Sequence, residues 1–270
     1  AEWALSTKVG RLLYPRAEIE ADPSLEPDRP AVDIPGFDPE EGYFRGTGDL
    51  RPVFDYSYDG VMRSVEASLA RTGVDRIDIL WIHDPDQHWQ EAIDGAYRAL
   101  ADLRAEGVVA AIGVGMNQAE MLTRFVREAD LDAVMCAGRY TLLDQTALAE
   151  LFPACEARGT AVVVAGVMNS GLLAKPRAGS NFDYAPAPDT LVDRALAMQA
   201  VCDRHAVSLR AAAMQFVFGH PLVASVVAGV RTVRHVDDAV ENMSVPIPAA
   251  LWDELRAAGL LPAEVPTPAS

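Results

Sequence analysis

Short unbroken apolar runs alternate along this chain with segments whose apolar positions recur at helical spacing. The runs predict strands over residues 4–8, 76–84, 108–115, 131–136, 160–166 and 223–229. Between them the spacing predicts helices over 57–72, 91–106, 118–128, 145–157, 190–205, 209–218 and near 233–242. Val61, Val65 and Leu69 share one face of the first helix, and Gly73 stops it. Ile93, Ala96, Tyr97, Leu100 and Leu103 do the same for the second, ended by Gly107. Residues 11–56 interrupt the pattern. They carry Pro15, Pro23, Pro27, Pro30, Pro35, Pro39 and Pro52 and read as one long functional loop.

Strands that are apolar throughout are what parallel strands covered on both faces require, and their alternation with helices implies an α/β fold. Two parallel architectures compete. An open dinucleotide-binding sheet needs three spaced glycines after its first strand, and Gly113-Val114-Gly115 has no third and lies on the third strand. A (β/α)8 TIM barrel needs eight βα units and six are present, which would leave two strand edges open to water. The expectation is therefore a barrel incomplete in this chain. It comprises a single domain over 1–270 with a tail over 259–270, and two βα units precede Ala1 in the natural protein.

Composition narrows the function. With 270 residues, half of them hydrophobic, the chain can bury a large core. A net charge of −16 argues against nucleic acid, whose binding depends on Lys and Arg neutralising phosphates. No apolar run of about 18 residues suggests a membrane span, and no secretory signal is visible. Cys136, Cys155 and Cys202 are odd in number and set among apolar residues, which suggests reduced thiols and a cytoplasmic location. The sequence leaves the oligomeric state open.

In barrels the active site forms at the C-terminal ends of the strands. The polar residues there are Lys8, His83, Asn117, Arg139, Tyr140, Asn169, Ser170, Arg231 and Thr232. Lys8 is one of only two lysines, and a buried ammonium must be paired or lose its proton. The plainer alternatives are a snorkelling lysine, a core histidine at His83, and an N-cap at Asn117 with Glu120 as its capping-box partner. Asn169-Ser170-Gly171 reads as a turn that could offer backbone N–H groups to an anion, and Arg231 could serve a phosphate at a helix start. His83, Asp84, Asp86 and His88 could instead suggest a metal-dependent hydrolase, but no second strand supplies a ligand.

The segments STKVG, IDILWIHDPD, AIGVGMNQAEM, AGRYTLLDQ, VVVAGVMNSGLL and SVVAGVRTVRHVDDAVEN together resemble the aldo/keto reductase family. Within it, they are most similar to the branch of L-fucose and D-threo-aldose 1-dehydrogenases and pyridoxal 4-dehydrogenase. The resemblance implies a barrel holding NAD(P) and a catalytic group of Asp, Tyr, Lys and His, of which Lys8 and His83 match the last two. It places the Asp and Tyr in a stretch before the lysine strand, so the missing units are the first two. Tyr14, Tyr43, Tyr56 and Tyr58 all follow Lys8 and are not candidates for that tyrosine. For the cofactor the resemblance implies Asn117 at the nicotinamide carboxamide and Asp238 near the adenine. Tyr140, Asn169, Ser170, Gly171, Leu172, Gly229 and Arg231 complete that set. Ala137 stands where a glutamine is usual, and Gly229 and His235 stand where NADP-preferring relatives place basic residues, so NAD is expected and NADP is possible. The implied substrate is a small sugar or aldehyde. A cofactor-binding barrel without turnover is the rival reading.

Overall fold

The computed structural model describes residues 3–28, 46–183 and 185–269. The chain has two compact units. One is Ala1–Met116 with Glu128–Ala133, the other Asn117–Arg127 with Val134–Ser270.

The first unit contains β1 (Ser6–Val9), β2 (Arg11–Pro15), α1 (Arg16–Ala21), β3 (Glu26–Pro27), β4 (Leu50–Phe54), α2 (Tyr58–Thr72) and β5 (Ile79–His83). It continues with α3 (Trp89–Glu91), a π-helical turn over Ala92–Tyr97, α4 (Arg98–Ala105) and β6 (Ala111–Met116). Strands β1, β5 and β6 run parallel in that order, with Lys8 opposite Trp81 and His83 opposite Gly115. Ser57 caps α2 by accepting from the Gly60 N–H at 3.0 Å, and left-handed Gly73 ends it. The expected helix over 91–106 forms, but its middle widens into the π-turn. Gly95 sits there because a Cβ would come within 2.4 Å of the Tyr56 carbonyl oxygen.

Where the prolines suggested one long loop over 11–56, the described residues 11–28 and 46–56 contain regular elements. β2, β4 and β3 form a separate antiparallel sheet, with Arg11 opposite Phe54 and Glu26 also opposite Phe54. Pro15 and Pro27 end β2 and β3, where a missing N–H costs no ladder bond, and the Pro52 carbonyl still accepts from the Asp28 N–H at 2.9 Å. Residues 29–45, with Pro30, Pro35, Pro39 and Tyr43, lie outside the described residues.

The second unit contains α5 (Ala119–Glu128), β7 (Ala133–Ala137), α6 (Leu151–Arg158), β8 (Ala161–Ala165) and the short pair β9 (Asn181–Phe182) and β10 (Ala185–Pro186). α7 (Asp189–Arg204), α8 (Leu209–Phe216), β11 (Val223–Val227), α9 (Val233–Ser244) and α10 (Ala249–Ala257) complete it. β7, β8 and β11 lie side by side in that order, β8 and β11 parallel. α10 was missed in the sequence, although it buries Leu251, Trp252 and Leu255. In the tail Leu261 and Val265 are buried, and the Arg256 guanidinium donates to the Val265 carbonyl.

Two surfaces remain uncovered by any described residue. β1 pairs only with β5, and β11 only with β8. On α9, Val233, Val236, Val240 and Met243 recur on one face at helical spacing, and Val233 and Val240 are 78% and 62% exposed. No helix among the described residues is long and apolar enough to cross a membrane.

Candidate active site

In the first unit β1 and β5 end together, and their ends carry Lys8 and His83. Val9 packs into the core, so the strand alternation turns Lys8 to the opposite face of the sheet, where it is exposed. Lys8 Nζ lies 3.2 Å from His83 Nε2. An ammonium has donors only, so this contact makes Nε2 an acceptor and leaves the ring proton on Nδ1. Burial, then the charges of Lys8 and Arg11, push the His83 pKa down to about 2, so the imidazole is neutral at physiological pH. Burial also lowers the Lys8 pKa; Asp84 opposes that shift and Arg11 adds to it. Ser6, Lys8, Leu12, Ser64, Ser68 and His83 help to line a cavity of about 420 Å³ beside the strand edge.

A network absent from the sequence reading holds this strand end. Arg11 donates to the His83 carbonyl at 2.6 Å, pairs with Asp28, and reaches Asp84 Oδ2 at 3.6 Å. The Tyr56 hydroxyl lies 2.7 Å from the His83 carbonyl oxygen and 2.8 Å from that of Asp84. Burial raises the Tyr56 pKa, opposite to what a proton donor beside an ammonium needs. Asp84 has a φ of 44°, and its N–H donates to the Gly115 carbonyl at 2.9 Å. His88 faces the Phe54 and Tyr56 rings and bonds Glu91 at 2.9 Å. Among the described residues no group of three or more His, Cys, Asp or Glu could hold a metal.

The second unit gathers a polar cluster around Gly138. Asn117, Asp183 and Asn169 meet there: a Cβ on Gly138 would lie 3.8 Å from Asn117 Nδ2, 3.8 Å from Asp183 Oδ1 and 3.9 Å from Asn169 Nδ2. Gly138 has a φ of 73° and Gly166 one of 67°, and the two approach closely. A side chain on Gly166 would come within 3.1 Å of the Gly138 nitrogen. Asn169 is 3% exposed, with a φ of 44°, and its Oδ1 has no hydrogen-bond partner among the described residues. Beside it, Arg139 pairs with Asp183 at 2.6 Å and with Asp144 at 3.5 Å. A buried orphan acceptor beside two amide N–H donors fits a planar carboxamide, which has one acceptor and two donors of its own.

Other expected cofactor residues sit differently. The Asn169–Leu172 turn closes on itself. The N–H groups of Asn169, Gly171 and Leu172 donate to the Gly166, Met168 and Asn169 carbonyls, so they make no anion seat. Ser170, with a φ of 56°, also has a partner. Leu172 is fully buried, and so is Tyr140, whose ring lies 4.7 Å from Phe152 and 5.3 Å from Phe216. A ring so enclosed has no face left for a ligand. Its strand-end position was legible in the sequence; the side it turns to was not. Gly229 and Arg231 are exposed just before α9, where the Thr232 side chain caps the helix. Asp238 is engaged by Arg210.

Comparison with known proteins places this chain. Residues 44–259 match the model of the aldo/keto reductase family. A D-threo-aldose 1-dehydrogenase of Pseudomonas sp. is 44% identical over 97% of this chain and 76% of its own length. A pyridoxal 4-dehydrogenase of Microbacterium luteolum is 40% identical over 95% of this chain and 76% of its own. Among solved structures, aldo-keto reductase AKR11C1 from Bacillus halodurans in its holo form superposes with a TM-score of 0.60. It is 24% identical and covers 78% of this chain and 70% of its own. Glycerol dehydrogenase AKR11B4 from Gluconobacter oxydans gives 0.64 at 19% identity, over 99% and 74%. These two likenesses support an α/β barrel-type fold. The match over most of the chain, with two relatives above 40% or at it, shows that this protein belongs to the aldo/keto reductase family of oxidoreductases.

Proposed function

We propose that this protein is an NAD-dependent dehydrogenase that oxidises an aldose at C1 to its lactone, with L-fucose or a D-threo-aldose as the type substrate. The observation that carries the reading is the 3.2 Å contact between Lys8 Nζ and His83 Nε2. Lys8 places a positive charge where it lowers the pKa of a neighbouring hydroxyl, and neutral His83 orients the substrate oxygen. The C1 hydroxyl loses its proton and C1 loses a hydride, so one aldose and one NAD⁺ give lactone, NADH and H⁺. A bound nicotinamide would supply the hydride acceptor. Asn117 and Asn169 would hold its carboxamide, since their amide donors and the orphan Oδ1 suit that group. The name of the 44% identical relative supports an aldose, and that of the 40% identical one makes pyridoxal the substrate to test beside it.

The reading includes two further βα units, the first two of the barrel, which carry the catalytic Asp and Tyr. The open outer edge of β1 and the bare apolar face of α9 support this, because soluble proteins cover such surfaces. So does Tyr56, whose hydroxyl is already committed to the His83 and Asp84 carbonyls. Cys136, Cys155 and Cys202 are buried free thiols, with pKa values raised by burial to about 12, which supports a reducing compartment such as the cytoplasm.

The test is expression together with the coding sequence upstream of Ala1, followed by NAD reduction across a panel of aldoses, pyridoxal and simple aldehydes. Turnover with an aldose is expected. Silence across the panel would sink the dehydrogenase reading, and quenching of protein fluorescence by NADH alongside that silence would favour a binding module.

A further inference from the structure

We propose that Asp183 completes the amide site of the second unit. Its carboxylate accepts an N–H of a bound carboxamide and turns away a carboxylic acid from the same place. The inference rests on the reading of Asn117 and Asn169 as the carboxamide-holding pair, and it names the group that sets which pyridine head the site takes.

The place is the space in front of Gly138. A Cβ built there would meet nothing closer than 3.8 Å, and its three nearest atoms are Asn117 Nδ2, Asp183 Oδ1 and Asn169 Nδ2. The φ of 73° at Gly138 is one that side-chain-bearing residues rarely adopt, so glycine keeps the space open. Its rim therefore offers two amide donors and one anionic acceptor. Asn169, 3% exposed, adds a second acceptor, the Oδ1 that has no partner among the described residues. Ala137 and Gly138 carry no polar side chain, so any acceptor here must come from another element.

A hairpin brings Asp183 to this rim. Asp183 directly follows β9 in the connection to β10, where Phe182 lies opposite Ala185. Its backbone is left-handed, with a φ of 49°, a region that Asp and Asn tolerate better than most residues. Arg139, the neighbour of Gly138 in the chain, takes Asp183 Oδ2 at 2.6 Å and is itself held by Asp144 at 3.5 Å. One carboxylate oxygen is thus engaged by the guanidinium, while the other borders the Gly138 space.

This set matches a carboxamide group for group. The ligand's NH₂ donates to Asp183 Oδ1 and Asn169 Oδ1, and its C=O accepts from an asparagine Nδ2. A methyl ketone in place of the amide keeps the acceptor but leaves both protein acceptors without a donor. A carboxylate does worse, since it also brings like charge against Asp183. Arg139 does not cancel that charge, because it is shared between Asp144 and Asp183.

The test is calorimetric titration of the protein expressed with its upstream coding sequence, and it needs no turnover. Three dinucleotides are compared: NAD, its 3-acetylpyridine analogue and its nicotinic acid analogue. The unaltered protein should prefer NAD to the ketone by about tenfold or more, and to the acid by a wider margin. Asp183→Gly suits the left-handed backbone and removes the carboxylate. It should narrow the preference for NAD over the ketone by about tenfold. Asp183→Asn keeps an acceptor without the charge, so it should retain that preference while binding the acid about tenfold more tightly. A purely structural role would weaken all three ligands alike. Equal losses for NAD and the ketone in folded Asp183→Gly therefore overturn the proposal. If that variant does not fold, an unchanged affinity of Asp183→Asn for the acid overturns it. Binding of none of the three by the unaltered protein would remove the carboxamide reading itself, and the proposal with it.

Discussion

Each unit of this protein presents a strand-end cluster, and the two are built on opposite principles. The first unit uses charge: Lys8, Arg11, Asp28 and Asp84 surround a neutral His83, with Arg11 reaching two carboxylates and a carbonyl and Lys8 meeting the ring nitrogen. The second centres on dipoles: Asn117 and Asn169 gather at two left-handed glycines, with the Arg139–Asp183 ion pair beside them, and leave one buried acceptor unanswered. A charged cluster must carry its counter-ions with it, because a lone buried charge is too costly to keep. An amide cluster can wait half-satisfied for a ligand at a cost of about 1–3 kcal/mol. The first design suits proton handling and the second suits recognition of a neutral polar group.

The largest effect expected from this division is on turnover. In the upstream-extended enzyme, Lys8→Met should lower kcat by about 100-fold or more, the usual worth of a positioned proton-transfer group, with NADH affinity unchanged. Asn169→Ala should do the reverse, weakening NADH binding about tenfold, as expected for one lost hydrogen bond, while saturating kcat is retained. Fluorescence titration and steady-state kinetics on both variants separate the two. Equal losses of binding and turnover in both would break the comparison.

How far these clusters can be read from sequence follows from the same difference. Lys8 and His83 stand out because a strand that buries its neighbours has few reasons to end in a cation or an imidazole. Arg11, Asp28 and Tyr56 do not stand out. They belong to a proline-rich stretch whose antiparallel pairing leaves no periodic signal, and β3 is only two residues long. Asn169 reads as a turn residue, and it is one; its buried amide depends on Gly138, 31 residues earlier. Tyr140 shows the limit from the other side. Position after β7 suggested a ligand-facing ring, but the rings of Phe152 and Phe216 enclose it. The parallel strands and most helices were legible because burial imposes its period on them; α10 was not, although it buries Leu251 and Trp252.

A smaller effect probes how the charged cluster is held. Tyr56→Phe removes the hydroxyl that reaches two carbonyls, those of His83 and Asp84. Arg11 still serves the first, so the cost should be about 1–2 kcal/mol, read as a lower urea midpoint at unchanged slope. The pH dependence tests the same end of β5. Unfolded histidine protonates near 6.5, whereas His83 in the fold resists protonation down to about 2. Between those values the unfolded chain binds the extra proton, so acid favours unfolding. Stability should fall as pH drops below 6.5, by up to about 1.4 kcal/mol per unit from this group. His83→Asn should flatten the part of that slope between about pH 6.5 and 5, above the range where carboxylates titrate.

The smallest effect separates the two tyrosines. Tyr56 and Tyr140 are both buried, and burial raises both pKa values. Their hydroxyls differ. Tyr56 meets two acceptors, whereas Tyr140 has no partner among the described residues. Deleting a bonded hydroxyl leaves its partners short, but deleting an unbonded one removes a group that was desolvated without return. Tyr140→Phe should therefore leave the urea midpoint unchanged or raise it slightly, and leave NADH affinity unchanged, because the ring offers a ligand no surface. A several-fold loss of NADH affinity in a folded Tyr140→Phe protein would mean that this hydroxyl reaches the cofactor, and that the second unit has a polar contact beyond its amides.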